Sequence, residues 1–141
     1  MKITFDSRSS NEAFARSAVA AFVMQLDPTV AELGEIRTAV SEAVTNCVVH
    51  AYKNAPGKIT LTVGISDNGT VTIKIKDAGC GIDDIGKAME PLFTTSPEEE
   101  RAGLGFAVMQ SFSDDVRVRS ASGRGTTVTL IKRLSRRVKD V

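Results

Sequence analysis

A chain of 141 residues, 42% hydrophobic and 25% charged, has the composition of a globular protein with room for one real core and one domain, which excludes a disordered or fibrous chain. Its longest apolar runs, Ala18 to Met24 and Leu104 to Met109, fall far short of the ~20 residues of a membrane span, and Asp6, Ser7 and Arg8 stand where a secretory signal would be apolar, so a cytoplasmic protein is expected. The net charge of +1 is uneven: the last ten positions hold five of the 18 basic residues and leave 13 basic against 16 acidic, a balance that argues against direct nucleic-acid binding.

Taken in chain order, Lys2 to Asp6 alternates as a short strand, with Ile3 and Phe5 on one face. A helix follows, with Ser9, Ser10 and Asn11 as possible N-caps and Phe14, Ala18, Ala21 and Phe22 as its expected buried stripe, until Asp27-Pro28 stops it. Arg16 lies about 200° around that helix from Phe14 and is expected to face solvent. Thr29, with Glu32 three residues on, predicts a capping box for a longer helix. Val30, Leu33, Ile36, Val40, Val44 and Val48 form its apolar face, and it ends near His50 to Tyr52. Ile59 to Ile65 and Val71 to Ile75 alternate around Asp67-Asn68-Gly69 and predict a hairpin.

Residues 90–103 combine two prolines, a Thr-Thr-Ser run and three consecutive glutamates, and are expected to form a mobile lid. A helix is then expected from Leu104 to Phe112, followed by strands over 116–120 and 126–132 joined by Ser122-Gly123-Arg124-Gly125, and a basic tail over about 132–141. Strands and helices mixed without strict βαβ alternation predict an α/β two-layer sandwich, a mixed but mainly antiparallel sheet with helices on one face. Cys47 and Cys80 lack metal-ligand or CxxC spacing and are read as free thiols.

Three glycine clusters fall at strand or loop junctions: Asp77-Ala78-Gly79-Cys80-Gly81, Gly103-Leu104-Gly105-Phe106, and Gly123-Arg124-Gly125-Thr126-Thr127. Glycines let backbone N–H groups approach an anion, and a helix beginning at Leu104 would add a positive dipole end, so a nucleotide is the expected ligand. Two common phosphate motifs are excluded. Residues 81–88 have P-loop spacing, but Ala88 stands where Ser or Thr must hold Mg²⁺, and Asp83 and Asp84 repel phosphate. The dinucleotide fingerprint fails because Asp84 replaces its third glycine. Glu42 and Asn46, four apart, share a helix face with His50 a turn further on. The Asn46 amide oxygen suits a hard cation held jointly with phosphates, and Glu42 could accept a proton from an attacking hydroxyl.

With these residues in hand, Glu42-Ala43-Val44-Thr45-Asn46 resembles the N box of the GHKL ATPases, Asp77 to Gly81 the G1 box, Gly103 to Phe106 the G2 box and Gly125-Thr126-Thr127 the last box. This Bergerat-type ATP-binding fold is shared by gyrase, histidine kinases and heat-shock chaperones. Ser41 to Asn46, Pro91 to Thr95 and Glu100 to Phe106 are similar to bacterial anti-sigma serine kinases, and Asn11 to Arg16 with Ala20 to Thr29 to their sporulation members. The resemblance implies ATP, ADP and Mg²⁺ as ligands, with Asp77 receiving the adenine amino group, Asn46 holding the metal and Glu42 as base. It places Gly79, Gly81, Thr94, Thr95 and Thr127 at the nucleotide, Arg101 of the lid at the terminal phosphate, and Gly103, Leu104, Gly105 and Phe106 around the phosphates. It further implies a homodimer that sequesters a sporulation sigma factor, sigma F, and phosphorylates a serine of an anti-anti-sigma protein, with Arg16 at the partner surface. Cys47 and Cys80 sit beside such positions and are not expected to touch a ligand-bearing one. The rival readings are a nucleotide-gated binding module without kinase activity and a histidine-kinase catalytic domain, the latter disfavoured because His50 is the single histidine and no acceptor hairpin is present.

Overall fold

The computed structural model describes residues 1–52, 55–82, 85 and 97–135, with the backbone alone for 97–103. Five strands, β1 (Lys2–Asp6), β2 (Lys58–Ile65), β3 (Thr70–Asp77), β4 (Asp115–Ala121) and β5 (Gly125–Arg133), form one sheet in the order β1-β2-β3-β5-β4. Every pairing is antiparallel, so the expected mixed sheet is wholly antiparallel among the described strands. The central strands alternate as their sequence requires: Ile59, Leu61 and Val63 of β2 and Val71, Ile73 and Ile75 of β3 are buried, whereas Lys74 and Lys76 are exposed. The buried face carries helices α1 (Ser10–Val23), α2 (Val30–Asn46) and α3 (Pro97–Phe112), with α2 packed against both of the others.

Thr29 caps α2 as predicted: its hydroxyl accepts from the Glu32 amide at 3.0 Å, and Glu32 Oε1 accepts from the Thr29 amide at 2.9 Å. α2 then passes into a wider π-helical turn, Cys47–Ala51. Two expected faces are corrected. On α1 the buried stripe is Ala15, Val19 and Val23, while Phe14 is 52% exposed and stacks edge-on against Phe5 at 6.2 Å between ring centres. The buried stripe lies one residue further round, through small Ala15 and the β-branched Val19 and Val23, and α1 packs on α2. On α2, Val30, the first residue of the helix, is 91% exposed, and burial runs through Ile36, Ala39, Val40, Ala43 and Val44. The expected N-cap of α1 is also corrected: Ser9 makes no side-chain cap, and Asn11 Nδ2 instead donates to the Asp6 carbonyl at 2.9 Å.

The expected lid and tail are corrected in part. Residues 97–103 are helical, so α3 begins seven residues before Leu104. Pro97 at its first position and three glutamates in its first turn match the preferences of a helix N-terminus, where a missing N–H costs nothing and acidic groups meet the dipole. The residues 90–96 and the Thr94 and Thr95 within them lie outside the described residues, as do 136–141. Lys132 and Arg133 belong to β5, and Lys132 Nζ is paired with Glu35 on α2. The chain then closes on α2: Leu134 is buried and the Ser135 amide donates to Glu32 Oε2 at 2.6 Å.

Candidate nucleotide site

At the C-terminal end of β3 the alternation that buries Ile73 and Ile75 also buries Asp77, which is 5% exposed. A buried carboxylate must be hydrogen-bonded, and here its two oxygens are served differently. Oδ1 accepts the amides of Gly79 at 2.9 Å and Thr126 at 3.2 Å. Oδ2 accepts the thiol of Cys47, whose Sγ lies 3.4 Å away. Burial, then the Asp77 charge and the hydrogen bond to it, push the Cys47 thiol well above its ordinary range. Three chain segments meet around this carboxylate: the turn after β3, the start of β5 and the end of α2. Gly125 has φ of 108° and its Cα sits against the Asp77 carbonyl, where no Cβ could be placed. Tyr52, after the π-helical turn, closes the other side: its hydroxyl accepts the Ala78 amide at 2.7 Å and donates to the Lys58 carbonyl at 2.6 Å.

The second cluster lies between α2 and α3. Four-residue spacing puts Glu42 and Asn46 on one face of α2, and Gly105 of α3 lies over both: a Cβ there would be 3.2 Å from Glu42 Oε2, 3.2 Å from Asn46 Oδ1 and 3.3 Å from Asn46 Nδ2. Asn46 Nδ2 is buried with no hydrogen-bond partner among the described residues. The orphaned atom is the amide nitrogen, a donor that calls for an acceptor such as a phosphate oxygen, while Oδ1 of the same group, near Gly105, is the atom that could meet a cation. Among the described residues no group of three His, Cys, Asp or Glu converges to hold a metal.

The remaining sequence-predicted residues fall out as follows. Gly79 and Gly81 are in the turn after β3, but they approach protein backbone, at Ala51 and Ala121, and not an open anion cradle. Gly103, Leu104, Gly105 and Phe106 lie inside α3, where amides belong to the helical ladder, so the expected dipole end at Leu104 is corrected. Leu104 is 51% exposed and Phe106 is core. The side chain of Arg101 lies outside the described residues. Thr127 pairs with Lys76 and Arg119, while the neighbouring Thr126 is buried, donates its amide to Asp77 and shares its hydroxyl with Ser120 at 2.8 Å. Arg16 is half-buried and not simply solvated. It pairs with Glu12 at 3.0 Å, Glu12 accepts the Ser41 hydroxyl from α2, and Arg16 lines an open cleft of about 350 Å³ with Gly34, Arg37, Thr38 and Ser41. Sequence reasoning missed Thr126, Tyr52 and the Cys47 contact with Asp77, which depend on the register between strands and on how distant segments meet.

Comparison with known proteins identifies the family. The chain belongs to the family described as the histidine kinase-like ATPase domain, whose model matches residues 5–132. Within it the chain is one of the anti-sigma F factors. It is 56% identical over 136 residues to the anti-sigma F factor of Caldanaerobacter subterraneus subsp. tengcongensis, covering 96% of this chain and 94% of that one. To the anti-sigma F factor of Geobacillus kaustophilus it is 52% identical over 136 residues, covering 96% and 93%. Among solved structures, the RsbU and RsbW domains of a Mycobacterium tuberculosis protein superpose with a TM-score of 0.71 at 21% identity, over 100% of this chain and 34% of that one, which is a likeness of fold. No described helix is long and apolar enough to cross a membrane.

Proposed function

We propose that this chain is a single-domain, cytoplasmic anti-sigma serine kinase that binds ATP with Mg²⁺, holds a sporulation sigma factor inactive, and phosphorylates a serine of an anti-anti-sigma protein. The observation that carries the reading is the orphaned Asn46 amide beside Glu42 under Gly105, together on the helix next to the buried Asp77. Asp77 would take the adenine amino group on Oδ2, the oxygen that backbone amides leave open. Asn46 would hold the metal, whose chemistry is to neutralise charge on the phosphates. Glu42 accepts the proton of the serine hydroxyl as its oxygen bonds to the γ-phosphorus and the bond to the β,γ-bridging oxygen breaks, leaving ADP. Thr94, Thr95 and Arg101 would close over the terminal phosphate. Gly103, Leu104, Gly105 and Phe106 would lie around the phosphates, with Gly105 over Glu42 and Asn46. Arg16 would dock a protein partner, and two copies of the chain would act as a homodimer.

Radiolabel transfer from ATP to the purified anti-anti-sigma protein tests the reading. Glu42→Gln should slow transfer by ~10²–10⁴ while ATP and sigma-factor binding stay near normal. Full transfer by that variant would remove Glu42 as base, and absence of transfer by the parent would leave a nucleotide-gated binding module.

A further inference from the structure

Cys47 has no part in the mechanism above, yet it touches the residue on which adenine recognition depends. It is the first residue of the π-helical turn after α2 and is only 4% exposed, and that turn directs its sulfur at a carboxylate thirty positions later. Asp77 Oδ1 already takes two amides, one for each lone pair, so it has no capacity for a ligand. Oδ2 takes one donor, the thiol at 3.4 Å, and retains one lone pair. From this division of the two oxygens we propose that Cys47 is a positioning residue for purine recognition: its thiol fixes Asp77 Oδ2 so that the remaining lone pair meets an exocyclic amino group at C6 of the base. A thiol suits the task because it is a weak donor, holding the oxygen in place while leaving most of its acceptor strength for the ligand. A serine hydroxyl, on a bond shorter by about 0.4 Å, would stand further from Oδ2 and would compete more strongly wherever it did reach.

This inference rests on the proposed binding of ATP, and its test separates the two. Titrations of the full chain compare ATP with purine riboside 5′-triphosphate, which carries hydrogen in place of the 6-amino group. The parent should prefer ATP; equal affinities for the two would overturn adenine reading by Asp77 and the role of Cys47 with it. Cys47→Ala should weaken ATP about three- to tenfold and leave the analogue within twofold of the parent. Cys47→Val, which removes the donor but fills the space, should reproduce the ATP loss at parental melting temperature. Equal losses for both nucleotides, or an ATP loss in Cys47→Ala absent from Cys47→Val, would make Cys47 a packing residue only and overturn the proposal.

Discussion

Gly105→Ala sets a local gain against a loss at the site, and the structure decides which property each governs. Gly105 is interior to α3, where alanine is better than glycine by about 0.8–1 kcal/mol. Against this, the new Cβ would lie 3.2 Å from both Glu42 Oε2 and Asn46 Oδ1, a few tenths of an ångström inside ordinary contact. The atoms it meets are the ends of side chains, so small rotations relieve the crowding and the fold keeps most of the helix gain. A net change between zero and about +1 kcal/mol corresponds to a melting temperature unchanged or raised by about 3–5 °C in a domain of this size. Those rotations, however, move the proton acceptor and the metal ligand together, and misplacement on that scale should lower phosphotransfer by about 10- to 100-fold. Calorimetric melting and radiolabel transfer read the two effects separately. A variant as stable as the parent with undiminished transfer would refute the idea that Gly105 is a cradle for Glu42 and Asn46.

Three further outcomes follow from particular contacts. Asp77→Asn should weaken ATP and ADP alike, by about 10- to 150-fold for a lost hydrogen bond to a charged acceptor, measured by isothermal titration; a selective loss of one nucleotide would contradict a base contact. Burial raises the Glu32 carboxyl, but the amides and hydroxyl groups of Thr29 and Ser135 outweigh it and hold the group below its ordinary 4.5. A depressed folded value means that its contribution is present above about pH 4.5 and is lost as pH falls through the folded value, so the stability gap between the parent and Glu32→Gln should close in acid denaturation curves; a gap constant down to pH 2 would refute it. Arg16→Ala should cost partner binding roughly 2 kcal/mol or more while barely moving stability, since its ion pair with Glu12 is partly exposed; calorimetry showing parental affinity for both protein partners would remove Arg16 from the docking face.

Local features of this chain were legible because their causes are local. Thr29 and Glu32 cap α2 through atoms three residues apart, and the alternation of Ile59 to Ile65 and Val71 to Ile75 decides which face of the sheet is wet. Four-residue spacing alone placed Glu42 beside Asn46. Pro97 and the glutamates after it also carried a helix-start signal, but it competed with a composition that reads as a loop. What tertiary structure decided involves pairs that no periodicity relates. Periodicity allows more than one stripe on α1, and packing against the rest of the fold selected Ala15, Val19 and Val23 and left Phe14 half exposed. The register between β3 and β5 chose Thr126 over Thr127 for Asp77, because a shift of one residue reverses the face of every side chain. The glycines at 79 and 125 were visible as glycines, but that they admit neighbouring backbone became apparent only once three distant segments met at Asp77. The same convergence turned Cys47 from a free thiol with no assigned contact into a donor to a carboxylate thirty residues away, because sequence spacing encodes the direction of a side chain and not what another segment brings to meet it.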